Sequence, residues 1–384
     1  MQRSRVLGVG LVLLLLTLVL SACGAVPVPQ DWPGLTVDGD SVYVSTGVPR
    51  QVYILNAETG VQEGTFAPPT DSSGIIYWSP VTLGDGIAFV GIAEEQAGTA
   101  HLYAFDPATG QEHWRVPARN LILAAPTYAA DGSEHPSGIV YFADTAGWVY
   151  AVDVETGSVL PGWPFQAEEA VWAAPLVVDD MVYVASMDHH VYALDTVTGA
   201  EIWSTSVGGA IAASPVFAEA DRILYVGAFD GRVHPLRTDS GELVSGFDFR
   251  ADNWIWSEPL LADDVLHVTS LDGRLYTLDR ATGAVVPPYP YDSAEITNAA
   301  DSIRAAPADA GDAVIIATES GRVAAVSNAQ RLWTWPSGLP EAQIYTTPVV
   351  AGDLVYVVLM NGQVQALNVE TGAPVWTFTP PEPG

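Results

Sequence analysis

The chain has 384 residues and a formal net charge of −31, with 45 acidic residues against 14 basic ones, and every basic residue is Arg. A hydrophobic fraction of 49% with 15% charged residues excludes a disordered chain. Without Lys there is no Schiff-base or P-loop lysine, one Cys allows no internal disulfide or thiolate cluster, and the acidity argues against nucleic acid and anionic lipid.

Arg3 and Arg5 open the chain, and Val6 to Leu20 follow as an apolar run broken only by Gly8, Gly10 and Thr17. That run is short for a spanning helix, which needs about 20 residues, and fits the apolar core of a secretory signal. Leu20-Ser21-Ala22-Cys23 looks like a bacterial lipobox, in which small residues admit the signal peptidase and the Cys23 sulfur carries lipid. Residues 1–22 are therefore expected to be a lipoprotein signal peptide, and 23–30 the lipidated Cys and an extended linker holding Pro27 and Pro29.

From residue 31 to 384 the chain reads as one repeat, eight times. The clearest copy is Val191-Tyr192-Ala193-Leu194-Asp195, then Thr198-Gly199, then Trp203. Copies begin at Val52, Leu102, Val149, Val191, Val233, Leu275, Val323 and Val364, with spacings of 41 to 50 residues. That period holds four short strands and their turns. Each unit also has a proline ahead of an apolar strand: Pro33, Pro80, Pro126, Pro175, Pro215, Pro259, Pro307 and Pro348. In the fourth unit the alternation predicts strands at 175–178, 181–186, 191–195 and 202–207, separated by Asp- and Gly-bearing turns. The reading is all-β, an eight-bladed β-propeller of four-stranded antiparallel blades, forming one domain over 31–384. Closure by a swapped terminal strand is not required.

These units resemble the PQQ-like (quinoprotein-type) β-propeller family, whose repeat Ala-x-Asp-x-x-Thr-Gly-x-x-x-Trp stands intact at Ala104 to Trp114 and Ala193 to Trp203. At Ala366 to Trp376 it has Asn368 for Asp. The resemblance implies that Trp114, Trp203 and Trp376 dock flat between neighbouring blades, and that Gly110, Gly199 and Gly372 permit the tight turn involved. In the third copy the Trp is displaced to Trp163. Gly64, Ser245 and Pro287 replace it elsewhere, and the seventh copy lacks Thr-Gly, so looser interblade packing is expected there. With its lipobox, length and repeat type the chain is also similar to BamB-like bacterial lipoproteins.

A quinoprotein dehydrogenase of this superfamily would need Ca²⁺ held by a Glu and an Asn, an Asp base, a covering lid, and often a vicinal disulfide. The only long connections are Ala93 to His101, Ala129 to Gly138 and Pro287 to Arg304. No catalytic residue, metal site or cofactor is therefore expected; PQQ with Ca²⁺ is the disfavoured alternative, as is a PQQ-dependent dehydrogenase activity. His189-His190 point to opposite faces of a strand, and the other five His are scattered without metal spacing. Asp179-Asp180 and Asp263-Asp264 occupy equivalent hairpin turns, where Asp bonds its own backbone.

One constellation emerges from aligning the units. In blades two to eight the residue three before the landmark proline is placed at the mouth of the central funnel: Tyr77, Leu123, Trp172, Ala212, Trp256, Arg304 and Tyr345. Aromatics in alternate blades predict four rings in quasi-fourfold positions. The turns between second and third strands open on the same face and carry Arg232, Arg274 and Arg322, and nine of the 14 Arg fall between 222 and 331. The eight residues Tyr77, Trp172, Trp256, Arg304, Tyr345, Arg232, Arg274 and Arg322 form the candidate binding mouth. The structural alternative is that the rings plug the funnel and the Arg balance nearby Asp.

The expected function is a non-catalytic, lipid-anchored, monomeric scaffold that binds an envelope protein partner, on the outer face of the cytoplasmic membrane or at the outer membrane. It touches membrane through Cys23 only, and the BamB-like resemblance implies a part in outer-membrane protein assembly. The alternatives are a cell-surface propeller that binds a ligand or polysaccharide, and a degenerate PQQ-binding quinoprotein.

Overall fold

The computed structural model describes residues 33–381 except 48–49, 68–74, 78, 95–98, 131–136, 298 and 300. Residues 1–30, where a signal peptide, a lipidated Cys23 and a linker are expected, lie outside them, as do Trp78 and His135.

Eight antiparallel sheets follow one another in sequence order, spanning 34–66, 75–118, 127–166, 176–206, 216–237, 260–292, 308–335 and 349–378. Six have four strands. Blade four matches the sequence reading closely: Leu176–Val178, Met181–Ala185, His190–Asp195 and Glu201–Ser206. Its turns follow from local chemistry. Asp179 and Asp263 adopt positive φ (51° and 49°), a region Asp tolerates better than bulkier residues, so the acidic pairs are hairpin turns. Asp195 accepts hydrogen bonds from the Thr198 backbone N–H (2.7 Å) and hydroxyl (2.7 Å), and Gly199 follows at φ 68°. These bonds hold the Asp195 carboxyl below its ordinary range.

Two blades depart from four strands. In blade two Ile75–Tyr77 adds a fifth, pairing with the far end of Ile87–Glu94. In blade five only three strands pair, and the fourth segment touches the sheet through isolated bridges, Leu236 to Leu243 and Arg232 to Arg250. Among the described residues the one α-helix is Ala294–Thr297, inside the connection before blade seven.

The core lies between blades. Residues of blade one (Val52, Ile54, Phe66) meet those of blade two (Val90, Tyr103, Phe105) in one buried cluster, and equivalent clusters recur around the ring. Four indoles fasten neighbours: the Nε1–H groups of Trp114, Trp203, Trp333 and Trp376 donate to the carbonyls of Val154 (2.8 Å), Thr238 (3.0 Å), Val369 (2.8 Å) and Ala57 (2.9 Å). Each ring covers the turn glycine of the next blade. A Cβ on Gly241 would stand 2.6 Å from Trp203 at φ +70°, so only Gly fits. A second tie, invisible in the family motif, is the strand-two tyrosine. Tyr183 Oη donates to Thr238 O (3.2 Å), Tyr225 to Arg280 O (2.9 Å) and Tyr356 to Ala57 O (3.1 Å).

Trp376 and Tyr356 of blade eight both hold Ala57 of blade one, so the ring closes with every blade built from consecutive chain and without a swapped strand.

The expectation of looser packing in the copies without a motif Trp is corrected. Between blades one and two, Phe66 stacks on Phe105 at 4.1 Å, and Ile54 packs beside Gly64. In blades three, five and six the fourth segment carries two more residues, and the aromatic sits six after the turn glycine instead of four. Trp163 lies over Gly199, and Phe247 lies over Gly283. Tyr289 packs on the cluster between blades six and seven. Although blade seven lacks Thr-Gly, its Trp333 docks on Gly372.

Candidate functional site

The inner ends of all eight blades surround an axial cavity of about 340 Å³. Its walls are mostly small: Ala124, Ala173, Ala212 and Ala305 are among them. Hydroxyls tie the wall together from blade to blade. Thr82 Oγ1 donates to Pro126 O (2.5 Å), Thr127 Oγ1 to Pro175 O (2.5 Å), and the Ala306 N–H donates to Thr347 Oγ1 (3.2 Å).

Trp172, Trp256, Arg304 and Tyr345 all line this cavity, as do Leu123 and Ala212. The rings are not evenly spaced. Trp172 and Trp256, from blades four and six, meet at 5.9 Å and 51°, because Ala212 of the blade between them leaves the room. Phe229 extends the cluster, stacking on Trp256 (5.1 Å) and on Trp254 (4.7 Å, 6°). Trp254 is 42% exposed while Trp256 is buried, so the cluster runs from the channel to open surface.

Arg304 stands against two rings, with its guanidinium carbon 4.4 Å from the Trp256 centroid and 5.1 Å from that of Tyr345. Glu319 approaches its terminal nitrogen at 3.9 Å and accepts a hydrogen bond from Tyr345 Oη at 3.1 Å. Burial, reinforced by Glu319, raises the Tyr345 hydroxyl above its ordinary range and keeps it neutral. Arg304 Nε is buried without a hydrogen-bond partner.

The other candidates lie elsewhere. Tyr77 belongs to the extra strand of blade two, paired with Ile92, and its side chain is outside the described residues. Arg232, Arg274 and Arg322 are not among the residues that line the cavity. Arg232 pairs with Asp248 (3.2 Å), and Arg274 with Asp252 (2.6 Å) and Asp292 (3.7 Å). Arg322 donates to the carbonyls of Pro336 (2.8 Å) and Gly338 (2.9 Å). Each Arg leaves its turn toward the neighbouring connection, where these acceptors sit.

Glu258 was not singled out by sequence, although the aligned proline column carries the signal. The residue before the landmark proline is Ser79, Ala125, Ala174, Ser214, Ala306 and Thr347 in other blades, but Glu258 in blade six. It lines the cavity, open to channel solvent yet enclosed by the ring, and this distance from bulk water raises its carboxyl above the ordinary value.

No group of three His, Cys, Asp or Glu able to hold a metal occurs among the described residues. His190 Nδ1 sits by Asp188 (3.4 Å) and His234 Nε2 by Asp230 (3.1 Å), each as part of its turn. The channel does not fit a Ca²⁺–quinone centre, because Glu258 has neither Asn nor Asp beside it among the lining residues.

Residues 100–378 match the family profile described as outer membrane protein assembly factor BamB. A protein of that name from Aliivibrio fischeri is 35% identical over 81 residues, 18% of this chain and 21% of the relative, so the aligned part spans about a fifth of the relative's length. Two solved structures share the fold at 18% identity and 88% coverage of this chain. One is a computationally designed protein (TM-score 0.69, 97% of its chain) and the other is BamB from Moraxella catarrhalis (TM-score 0.68, 94%).

Proposed function

This chain belongs to the BamB family of PQQ-like β-propellers, and from that premise we propose a non-catalytic scaffold, without resident cofactor, that binds a protein partner at the cell envelope. Attachment to a membrane is through lipid on Cys23, and the process served is the assembly of outer-membrane proteins. The family supports the scaffold role, and the signal and lipobox pattern of residues 1–23 supports the location. One observation carries the choice of surface. The Trp254–Phe229–Trp256–Trp172 cluster with Arg304 is a continuous aromatic patch reaching solvent on a chain of net charge −31. Large aromatics and Arg are the residues that dominate binding energy in protein interfaces.

Mild crosslinking in cells followed by purification tests this. The wild-type chain should retain a defined envelope partner, and a Trp172→Ala/Trp254→Ala pair should lose it while keeping the β-sheet circular dichroism spectrum. Undiminished capture by the folded variant would exclude this surface.

A further inference from the structure

The axial channel contains one carboxylate that nothing described in the fold employs. Glu258 is the one carboxylate among the residues that line the cavity, and the residues at its position in blades two to five, seven and eight are Ser, Ala or Thr. Among the described residues no hydrogen bond or ion pair engages it. Arg304, the guanidinium of the same cavity, is held against Trp256 and Tyr345 and faces Glu319 instead. The neighbouring hydroxyl is also occupied, since Ser257 Oγ is 2.9 Å from Thr269 Oγ1 and 3.3 Å from Ala305 O. A fold that encloses a carboxyl this way leaves it short of a counter-charge.

We propose that the channel is a binding site for an organic ammonium group, seated on the Glu258 carboxylate against the aromatic wall of Trp172 and Trp256. Three features fit that chemistry. The cavity of about 340 Å³ is the size of a small organic ligand. Indole faces attract cations most strongly where water is scarce. A chain of net charge −31 without Lys concentrates cations in its concavities. The upward shift of the Glu258 carboxyl is what a bound cation would relieve. A divalent metal fits less well, because no second carboxylate or His lines the channel. The site shares Trp172 and Trp256 with the partner surface, and Glu258→Gln separates the two, since it removes the carboxylate and leaves the aromatic patch in place.

The test is isothermal titration of the purified chain, without its signal segment, with n-butylammonium, with 1,4-diammoniobutane and with N-acetyl-lysine methylamide, at matched ionic strength. Binding of at least one is expected, weakened tenfold or more by Glu258→Gln and about threefold or more by Trp172→Leu. Asp248→Asn, on the outer surface, should leave it unchanged. Preference for the free amines identifies a small-molecule site, and preference for the lysine derivative identifies a site for a protein side chain. The proposal is overturned if no amine binds, if Glu258→Gln binds as wild type, or if Ca²⁺ or Mg²⁺ binds through Glu258 and the amines do not. Glu258→Gln is nearly isosteric, and its circular dichroism should match wild type; a variant that unfolds is replaced by Glu258→Ala with the same readout.

Discussion

Trp376 is the seam of the ring. Its indole covers Gly60, where a Cβ would come within 2.5 Å, donates to Ala57 O at 2.9 Å, and meets Tyr356 at 5.8 Å and 53°. Full burial would make Trp376→Ala cost about 3–5 kcal/mol. The ring is only partly buried, which brings the expectation to about 2–3 kcal/mol. Trp376→Phe keeps most of the covering and loses one hydrogen bond. Because Tyr356 still donates to Ala57 O, no acceptor is orphaned and the cost falls to about 1 kcal/mol. Val375, 52% exposed beside it, is the internal control, and Val375→Ala should change stability by no more than about 0.5 kcal/mol. Equilibrium urea unfolding followed by tryptophan fluorescence and circular dichroism gives the three values. If Trp376→Ala is no worse than Val375→Ala, the ring does not depend on this seam and the closure described here is wrong.

Other expectations follow from single positions. Gly162 has φ +93° and a Cβ there would meet Thr198 O at 2.1 Å, so Gly162→Ala should cost about 3 kcal/mol or more, against about 1 kcal/mol for Gly39→Ala, which has open space at φ +54°. Glu258 in the channel and His267 in the core should give opposite pH signatures in the same unfolding assay. The folded Glu258 carboxyl keeps its proton above the ordinary 4.5, so stability is lost as pH rises through that window; Glu258→Gln should be more stable than wild type at pH 7, and the gap should close below pH 4.5. Burial holds His267 neutral, its Nδ1 2.9 Å from Thr277 Oγ1, so stability is lost as pH falls below 6.5, and His267→Gln should flatten that fall. Cys23→Ala should move the protein from the membrane to the soluble fraction after cell breakage; retention in the membrane would contradict the lipid anchor.

Blade number, blade order and the Thr-Gly turns could be read from the chain because each repeats a local rule: Asp caps its own turn, Gly takes positive φ, and apolar residues alternate. Phe247 and Tyr289 were not legible, since the two extra residues in blades five and six shift them off the Trp column. Trp163, displaced in the same way, was visible only because it is itself a Trp. The candidate mouth was half legible. Spacing from the landmark proline put Trp172, Trp256, Arg304 and Tyr345 on the channel wall, because that connection is constrained in every blade. The leaning of Trp172 toward Trp256 depends on the small side chain of Ala212, which a column of single residues does not express. Arg232, Arg274 and Arg322 share a column too, but a long side chain goes to whatever acceptor its own loop offers, here Asp248, Asp252 and the carbonyls of Pro336 and Gly338. Glu258 was legible in principle, as the one charged residue in that column.

If the propeller holds a protein partner on its aromatic mouth, that partner must lie within reach of Trp254. The most direct measurement is quantitative crosslinking mass spectrometry in the native cell, with a photoreactive residue substituted at Trp254. Crosslinks from that position to one envelope protein are expected, and they should be lost when Trp172 is also replaced by Ala. Crosslinks absent from position 254 while other faces of the propeller capture the same protein would contradict it.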